Sequence, residues 1–150
     1  MKTPIISVVI TTYNQPEWLS KTLLGYQYQT FDSFEIIIAD DGSDERTKAV
    51  IEKFQKQTGL SIVHVWHEDR GFQKTAILNK AILATRSDYL IFTDGDCIPR
   101  NDFIAVHYQK RKSNSFLSGG YFKLPKTISD LITEADIETQ SCFNPKWLLN

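Results

Sequence analysis

Two carboxylates separated by one glycine, Asp94-Gly95-Asp96, are the residues of this sequence best suited to chemistry. They follow an apolar run ending in Ile91-Phe92, as expected just after a buried strand. Two carboxylates this close repel each other, so one takes up a proton unless a cation is shared. Mn²⁺ or Mg²⁺ suits such a site, since both accept oxygen ligands and Mg²⁺ needs only one or two carboxylates plus substrate phosphates. The alternative is an ordinary acidic turn after a strand.

Two further polar stretches offer groups for a nucleotide. Asp40 and Asp41 begin an Asp-Asp-Gly-Ser turn, where one of them can face the core or cap the next helix and the other can accept a hydrogen bond from a ring N–H or a sugar hydroxyl. The alternative is that Asp41 or Ser43 simply caps the helix. Thr11, Tyr13 and Asn14 end the first apolar run, and Tyr13 has a flat face on which a base can stack. The alternative for Tyr13 is packing on a neighbouring loop.

A third polar stretch, residues 67–74, enters a predicted helix. Arg70 and Lys74 are candidates for diphosphate oxygens, because guanidinium and ammonium groups bind phosphate and a helix N-terminus favours anions. A surface ion pair is an equally common role for Arg70. His67 is predicted to be solvated, as a lone histidine in a loop usually is.

The elements that must position these groups alternate along the chain. Runs rich in β-branched residues predict strands over 5–11, 34–39, 61–66 and 88–93, and helical periodicity follows each of them. Asn14 is expected to cap the first helix, Gly59 to end the second and Pro99 to start the fourth. A fifth strand over 116–122 and a helix over 129–138 complete the prediction.

This alternation predicts an α/β fold: a doubly wound, mostly parallel, Rossmann-like sheet with helices on both faces. Ligands of such sheets bind beyond the carboxyl ends of the strands. All the polar stretches described above fall at that edge. Residues far apart in the sequence are therefore expected to converge on one site.

Composition sets the broad class. The 150 residues suit one domain, and 41% hydrophobic with 23% charged residues indicates a globular chain. Seventeen basic and eighteen acidic side chains leave a net charge of −1, so no general basic field favours nucleic acid. Two cysteines without a C-x-x-C pair favour a reducing compartment, and the apolar runs are too short to span a bilayer. We expect a cytoplasmic protein, with association at the inner face of the membrane left open.

Four segments in order resemble the family 2 glycosyltransferases. They are residues 7–14 (SVVITTYN), 35–43 (EIIIADDGS), 79–82 (NKAI) and 89–96 (YLIFTDGD). Together with Arg70-Gly71-Phe72, the stretch 94–99 (DGDCIP) is similar to the bacterial branch that includes chondroitin- and hyaluronan-type polymerases. The resemblance covers about residues 5–105.

The resemblance implies a GT-A fold and a nucleotide-diphosphate sugar donor, usually a uridine one. It implies that Thr11 and Tyr13 contact the base, that Asp41 pairs with its ring N–H and that Asp94 lies near the ribose. Asp96 would bind the metal that bridges the diphosphate, with Lys74 near the phosphates. The implied reaction is inverting transfer to a glycan or a lipid-linked acceptor, in bacterial surface polysaccharide synthesis.

In that family the catalytic base lies well downstream of the D-x-D motif, so we expect it beyond residue 150. The chain is thus predicted to be a single nucleotide-sugar-binding domain, residues 1–150, that ends before the acceptor-binding half. Such a chain should bind donor but transfer sugar poorly, which robust turnover by the 150-residue chain would contradict. A missing half would expose apolar surface and favour self-association.

Other classes lack their signatures. A nicotinamide dehydrogenase needs G-x-G-x-x-G after the first strand, where Tyr13-Asn14-Gln15-Pro16 stands. A nucleotidyltransferase needs a glycine-rich basic loop there, and the nucleophilic Asp and helper Lys of an aspartyl-phosphate protein are not found in the required order. The remaining alternative is a degenerate or truncated nucleotide-binding or assembly module without transferase activity.

Overall fold

A computed structural model describes residues 3–148. Four strands alternate with four helices in the first 110 residues, and short helices follow. In chain order the elements are β1 (Ile6–Thr12), α1 (Pro16–Gln27), β2 (Phe34–Asp40), α2 (Glu45–Gln57), β3 (Ile62–Trp66), α3 (Lys74–Leu83), β4 (Tyr89–Asp94), α4 (Phe103–Lys110), α5 (Lys126–Ser129), α6 (Glu134–Glu138), a 3₁₀-helix (Ser141–Phe143) and α7 (Pro145–Leu148). The four predicted strands are confirmed, with bounds that differ by one residue at most of their ends.

The strands form one parallel sheet in the order β3-β2-β1-β4. β1 lies inside the sheet, with Val9 in register with Ile37 on β2 and with Phe92 on β4. Reversal of strand order on either side of β1 opens a crevice at the carboxyl ends of β1 and its neighbours. The predicted edge for a ligand therefore exists.

Helices cover both faces of the sheet, which confirms the doubly wound fold. One face packs on α1, α2 and α4. The core between them includes Val8, Ile10, Ile36 and Ile38 from the sheet and Leu19, Leu23, Ile51, Phe54 and Ile104 from the helices. In the described part of the chain the other face packs on α3, through Val9, Ile37, Ala39, Ile77 and Ala81. Strands buried on both sides explain the continuous β-branched runs of β1 and β2.

Two predicted helix boundaries are wrong, and a third is formed differently. Gln15, not Asn14, precedes α1, and its side chain makes no capping hydrogen bond, so Pro16 defines the start. Gly59 comes just after the end of α2 as predicted, but it is not in a left-handed conformation, and Thr58 caps the helix by donating from Oγ1 to the Phe54 carbonyl at 2.7 Å. Residues 99–102 form turns and irregular backbone, and α4 begins at Phe103.

The predicted strand over 116–122 is also wrong. These residues are irregular and exposed, with Phe116 at 89% and Tyr121 at 82% of their full accessibility. The helix predicted over 129–138 is instead two short helices, α5 and α6. Thr133 separates them by capping α6, where it forms a capping box with Asp136.

Gly42 brings two loops of the ligand edge into contact. Its φ of +95° is a left-handed conformation, and a Cβ added there would lie 2.6 Å from the Cα of Asp69. Only glycine allows the turn after β2 to approach the loop after β3 this closely. The same loops carry Asp41 and residues 67–73.

We expect Gly42→Ala to lower the free energy of unfolding by about 3 kcal/mol, because backbone strain and overpacking each cost roughly 1–3 kcal/mol. Urea denaturation measures the change. Gly59→Ala is the matched control, since a Cβ at Gly59 meets nothing within 4 Å, and it should change stability by no more than about 0.5 kcal/mol. Equal midpoints for the two variants would contradict the close approach.

Candidate nucleotide-binding site

The end of β1 holds the two acidic loops through its backbone. The Thr11 carbonyl accepts a hydrogen bond from the Gly95 amide at 2.7 Å, and the Thr12 carbonyl accepts one from the Asp41 amide at 3.0 Å. A Cβ at Gly95 would lie 2.9 Å from the Thr11 oxygen, so glycine permits this contact. The loops after β2 and β4 therefore continue the ladder of the sheet by one bond each.

Asp41 is buried and fixed from two sides. Its Oδ1 lies 2.7 Å from Nε2 of His67, and its Oδ2 accepts a hydrogen bond from the backbone N–H of Gln73 at 2.9 Å. The His67 side chain is only 10% exposed. His67 is thus a partner of the site and not the solvated loop residue that the sequence suggested.

One oxygen of Asp94 accepts two hydrogen bonds, one from a hydroxyl and one from an ammonium group. Thr11 Oγ1 and Lys74 Nζ each lie 2.6 Å from its Oδ1. The Lys74 hydrogen bond, and then that of Thr11, lower the pKa of Asp94 against the raising effect of partial burial. Asp94 is consequently an ionised carboxylate that holds the Lys74 ammonium in the site.

Asp96 is exposed, unlike Asp41, and its protein contact is weak, unlike the contacts of Asp94. Within residues 3–148 its recorded hydrogen bond comes from the Cys97 thiol at 3.7 Å. Burial and then the Asp96 charge raise the pKa of Cys97, which keeps it a thiol. In the described part of the chain no group of three or more His, Cys, Asp or Glu side chains forms a ready-made cage for a metal ion.

The loop over residues 67–73 is fixed at its base and exposed at its tip. Asp69 accepts hydrogen bonds from the Tyr13 hydroxyl at 2.9 Å and from the Gly71 amide at 2.9 Å. The Gly71 amide and then Tyr13 lower the pKa of Asp69, which in turn raises the pKa of Tyr13. At the tip, Arg70 pairs with Glu68 at 3.0 Å, and Phe72 is 88% exposed.

These groups surround a cleft of about 330 Å³, within the size range of small-molecule sites. Six of the eight predicted residues line it, namely Thr11, Tyr13, Asp41, Lys74, Asp94 and Asp96. Phe72 also lines the cleft, and it was quoted within the Arg70-Gly71-Phe72 resemblance without being given a role. Its exposure at the mouth of a polar cleft is the signal that identifies it.

Asn14 and Arg70 are not among the residues that line the cleft. The Asn14 side-chain oxygen accepts a hydrogen bond from the backbone N–H of Asp44 at 2.8 Å. The backbone N–H of Asn14 donates to Ser43 Oγ at 2.9 Å. Its φ of 49° fits an asparagine in a left-handed turn. In this structure Asn14 joins the loops after β1 and β2, and Arg70 forms the surface ion pair.

This strand order and crevice are common to many nucleotide-binding α/β proteins, so the fold alone does not separate them. Residues 7–121 match the family described as Glycosyl transferase family 2. The chain therefore belongs to the family 2 glycosyltransferases, as the four sequence segments predicted. No helix within residues 3–148 is long and apolar enough to cross a membrane.

The polymerase-like branch is supported as well. The chain is 35% identical over 95 residues to the hyaluronan synthase of Pasteurella multocida, which covers 63% of this chain and 10% of that protein. Curated relatives are much longer, and the chain spans between 10% and 39% of the length of eight of them.

Solved structures of glycosyltransferases have the same fold, which confirms the GT-A prediction. TarS of S. aureus in complex with UDP-GlcNAc superposes with a TM-score of 0.59 at 22% identity, covering 70% of this chain and 30% of TarS. Mannosyltransferase PcManGT of Pyrobaculum calidifontis, in complex with GDP-Man and Mn²⁺, gives 0.58 at 23%, covering 69% and 31%.

We expect Lys74→Met to raise the pKa of Asp94 towards its ordinary value, because the substitution removes the main group that lowers it. Carboxyl ¹³C NMR titration measures the change. Asp102 is the matched control, since its pKa is lowered chiefly by the hydrogen bond from Arg100, with no contribution from Lys74, and should not move. A stable Asp94 pKa in the variant would show that Lys74 does not contact it in solution.

Proposed function

We propose that this chain binds a uridine-diphosphate sugar, with Mn²⁺ or Mg²⁺, as the donor-binding part of an inverting glycosyltransferase. The observation that carries the proposal is the convergence of six predicted residues on one cleft, among them Asp96 with its exposed carboxylate. The family supplies the reaction class. A related fold bound to UDP-GlcNAc favours a uridine donor, although PcManGT binds GDP-Man.

Each lining residue has a role in this proposal that its surroundings support. Asp41 accepts a hydrogen bond from the ring N–H of the base. Its buried carboxylate is held by His67 and the Gln73 backbone N–H, and its remaining lone pairs are available to the cleft. Tyr13 offers its ring to the base, and its hydroxyl is already paired with Asp69. Lys74 moves from Asp94 to the diphosphate, and Asp94 then accepts from a donor hydroxyl.

The residues present fit a divalent cation held partly by the substrate. Asp96 supplies one exposed oxygen ligand, and Mg²⁺ or Mn²⁺ commonly completes its shell with phosphate oxygens and water. The lack of a three-residue cage in the described residues agrees with a metal that arrives with the donor. When bound, the cation stabilises the negative charge that develops on the leaving diphosphate.

In the transfer reaction an acceptor hydroxyl attacks the anomeric carbon in line with the leaving diphosphate. A carboxylate base takes the hydroxyl proton. None of the acidic residues described above is assigned to that step. The proposed acceptors are a glycan or a lipid-linked sugar, met at the inner face of the cell membrane during synthesis of surface polysaccharide.

We expect UDP to raise the thermal unfolding midpoint only when Mn²⁺ is present. Ligand at 100 times its dissociation constant adds about 2.7 kcal/mol, which is a shift of several degrees for a domain of this size. Differential scanning fluorimetry with UDP, GDP, CDP and ADP, each with and without Mn²⁺, makes the measurement.

Asp96→Ala should abolish the metal-dependent shift without loss of fold, because Asp96 is exposed. Asp130→Ala is the control, since Asp130 is an exposed carboxylate paired with Lys126 and absent from the cleft lining. A folded wild-type chain that responds to no nucleoside diphosphate would contradict the donor site. The degenerate binding module would then be the better description.

A further inference from the structure

The imidazole of His67 lies between two charged side chains. His67 follows directly after β3, and its Nε2 is 2.7 Å from Asp41 Oδ1 while its Nδ1 is 3.4 Å from Lys80 Nζ on α3. The His67 and Asp41 side chains are 10% and 9% exposed, whereas Lys80 is exposed. A buried contact to Asp41 is thus linked to a cation at the surface.

Asp41 and Lys80, the two neighbours of the His67 ring, require the same protonated nitrogen, because the carboxylate only accepts and needs a donor at Nε2. A lysine ammonium has three donors and no acceptor, so Nδ1 of His67 must accept from it. In the neutral imidazole the proton is then on Nε2, which donates to Asp41 Oδ1. Hydrogen bonds run in one direction, from Lys80 through His67 to Asp41.

The carboxylate of Asp41 is held at both oxygens by this arrangement. His67 donates to Oδ1, and the Gln73 backbone N–H donates to Oδ2 at 2.9 Å. Because both oxygens are held, rotation about the Cβ–Cγ bond of Asp41 is blocked, and the remaining lone pairs of the carboxylate have a set direction. Asp41 still lines the cleft.

A neighbouring histidine–aspartate pair, His64 and Asp40, makes the same type of contact outside the cleft. His64 Nε2 lies 2.9 Å from Asp40 Oδ2, and Asp40 Oδ1 accepts a hydrogen bond from the Ser43 amide. Neither His64 nor Asp40 lines the cleft. The His64–Asp40 pair thus closes the turn after β2, and it provides a control for the His67–Asp41 pair.

We infer that His67, held in one tautomer between Asp41 and Lys80, is a positioning residue that orients Asp41 to select a base with a ring N–H, uracil over cytosine. This inference rests on the proposed donor site. Uracil carries hydrogen on N3 and can donate to the fixed carboxylate. N3 of cytosine has a lone pair there, which faces the carboxylate oxygens without a proton between them, so a site built for the donor rejects it.

The test compares UDP and CDP affinities, with Mn²⁺, for the whole chain and three variants by isothermal titration calorimetry. In His67→Leu we expect about a 10-fold loss of UDP affinity with a much smaller change for CDP, since one hydrogen bond to a charged group is worth roughly that factor. In His67→Gln the amide can donate to Asp41 and accept from Lys80, so UDP affinity should return to within about 3-fold. His64→Leu should leave the UDP-to-CDP ratio unchanged.

Lys80→Met provides a second measurement that does not depend on a buried substitution. ¹⁵N NMR of the His67 ring should show the Nε2–H form in both proteins, because Asp41 still requires a donor there. The Nδ1 resonance should shift in Lys80→Met, which loses the donor to that nitrogen. An unchanged ring spectrum would overturn the role of Lys80, including in the case where His67→Leu fails to fold.

The remaining outcomes separate the inference from the proposed function. A wild-type chain that binds no nucleoside diphosphate refutes the donor site itself. A wild type that binds UDP, with His67→Leu unchanged or with UDP and CDP affinities reduced equally, refutes the selection by His67 while the donor site stands.

Discussion

Two backbone carbonyls at the end of β1 determine the layout of the whole site. Thr11 holds the loop with Asp94 and Asp96, and Thr12 holds the loop with Asp41. Because β2 and β4 flank β1, the loops after them start about two strand spacings apart, roughly 10 Å. An extended ligand such as a nucleotide can span that separation. The separation of base-binding and metal-binding carboxylates in the proposed function follows from strand order.

The carboxylates of the candidate site differ in how firmly the protein holds them. The His67–Asp41 contact is buried, so it fixes its partners. The Lys74–Asp94 pair has side chains 40% and 56% exposed, and exposed pairs contribute about 1 kcal/mol or less. Lys74 can therefore exchange Asp94 for a phosphate at little cost. The cleft combines a rigid end with an adjustable one.

The sequence was sufficient for the α/β alternation and for the edge where polar residues meet, because buried parallel strands leave continuous apolar runs and their loops must follow. It could not show that His67 faces Asp41. That contact exists because β3 lies beside β2, and alternation does not specify strand order. The predicted capping of α1 by Asn14 was wrong for a similar reason, since the Asn14 side chain is bonded to the Asp44 amide, 30 residues away in the sequence. Residues 116–122 have the composition of a strand, but a strand also needs a paired neighbour, and within residues 3–148 they have none.

The position of β4 has a consequence for how the chain behaves in solution. In the described sheet β4 is paired with β1 on one side only, and Phe92, in register with Val9 on the face that α3 covers elsewhere, is 53% exposed. An outer strand of apolar residues presents a row of free N–H and C=O groups, which is a template for adding another strand. What occupies that edge will govern the solubility and shelf life of the protein, independently of how well its cleft binds a nucleotide.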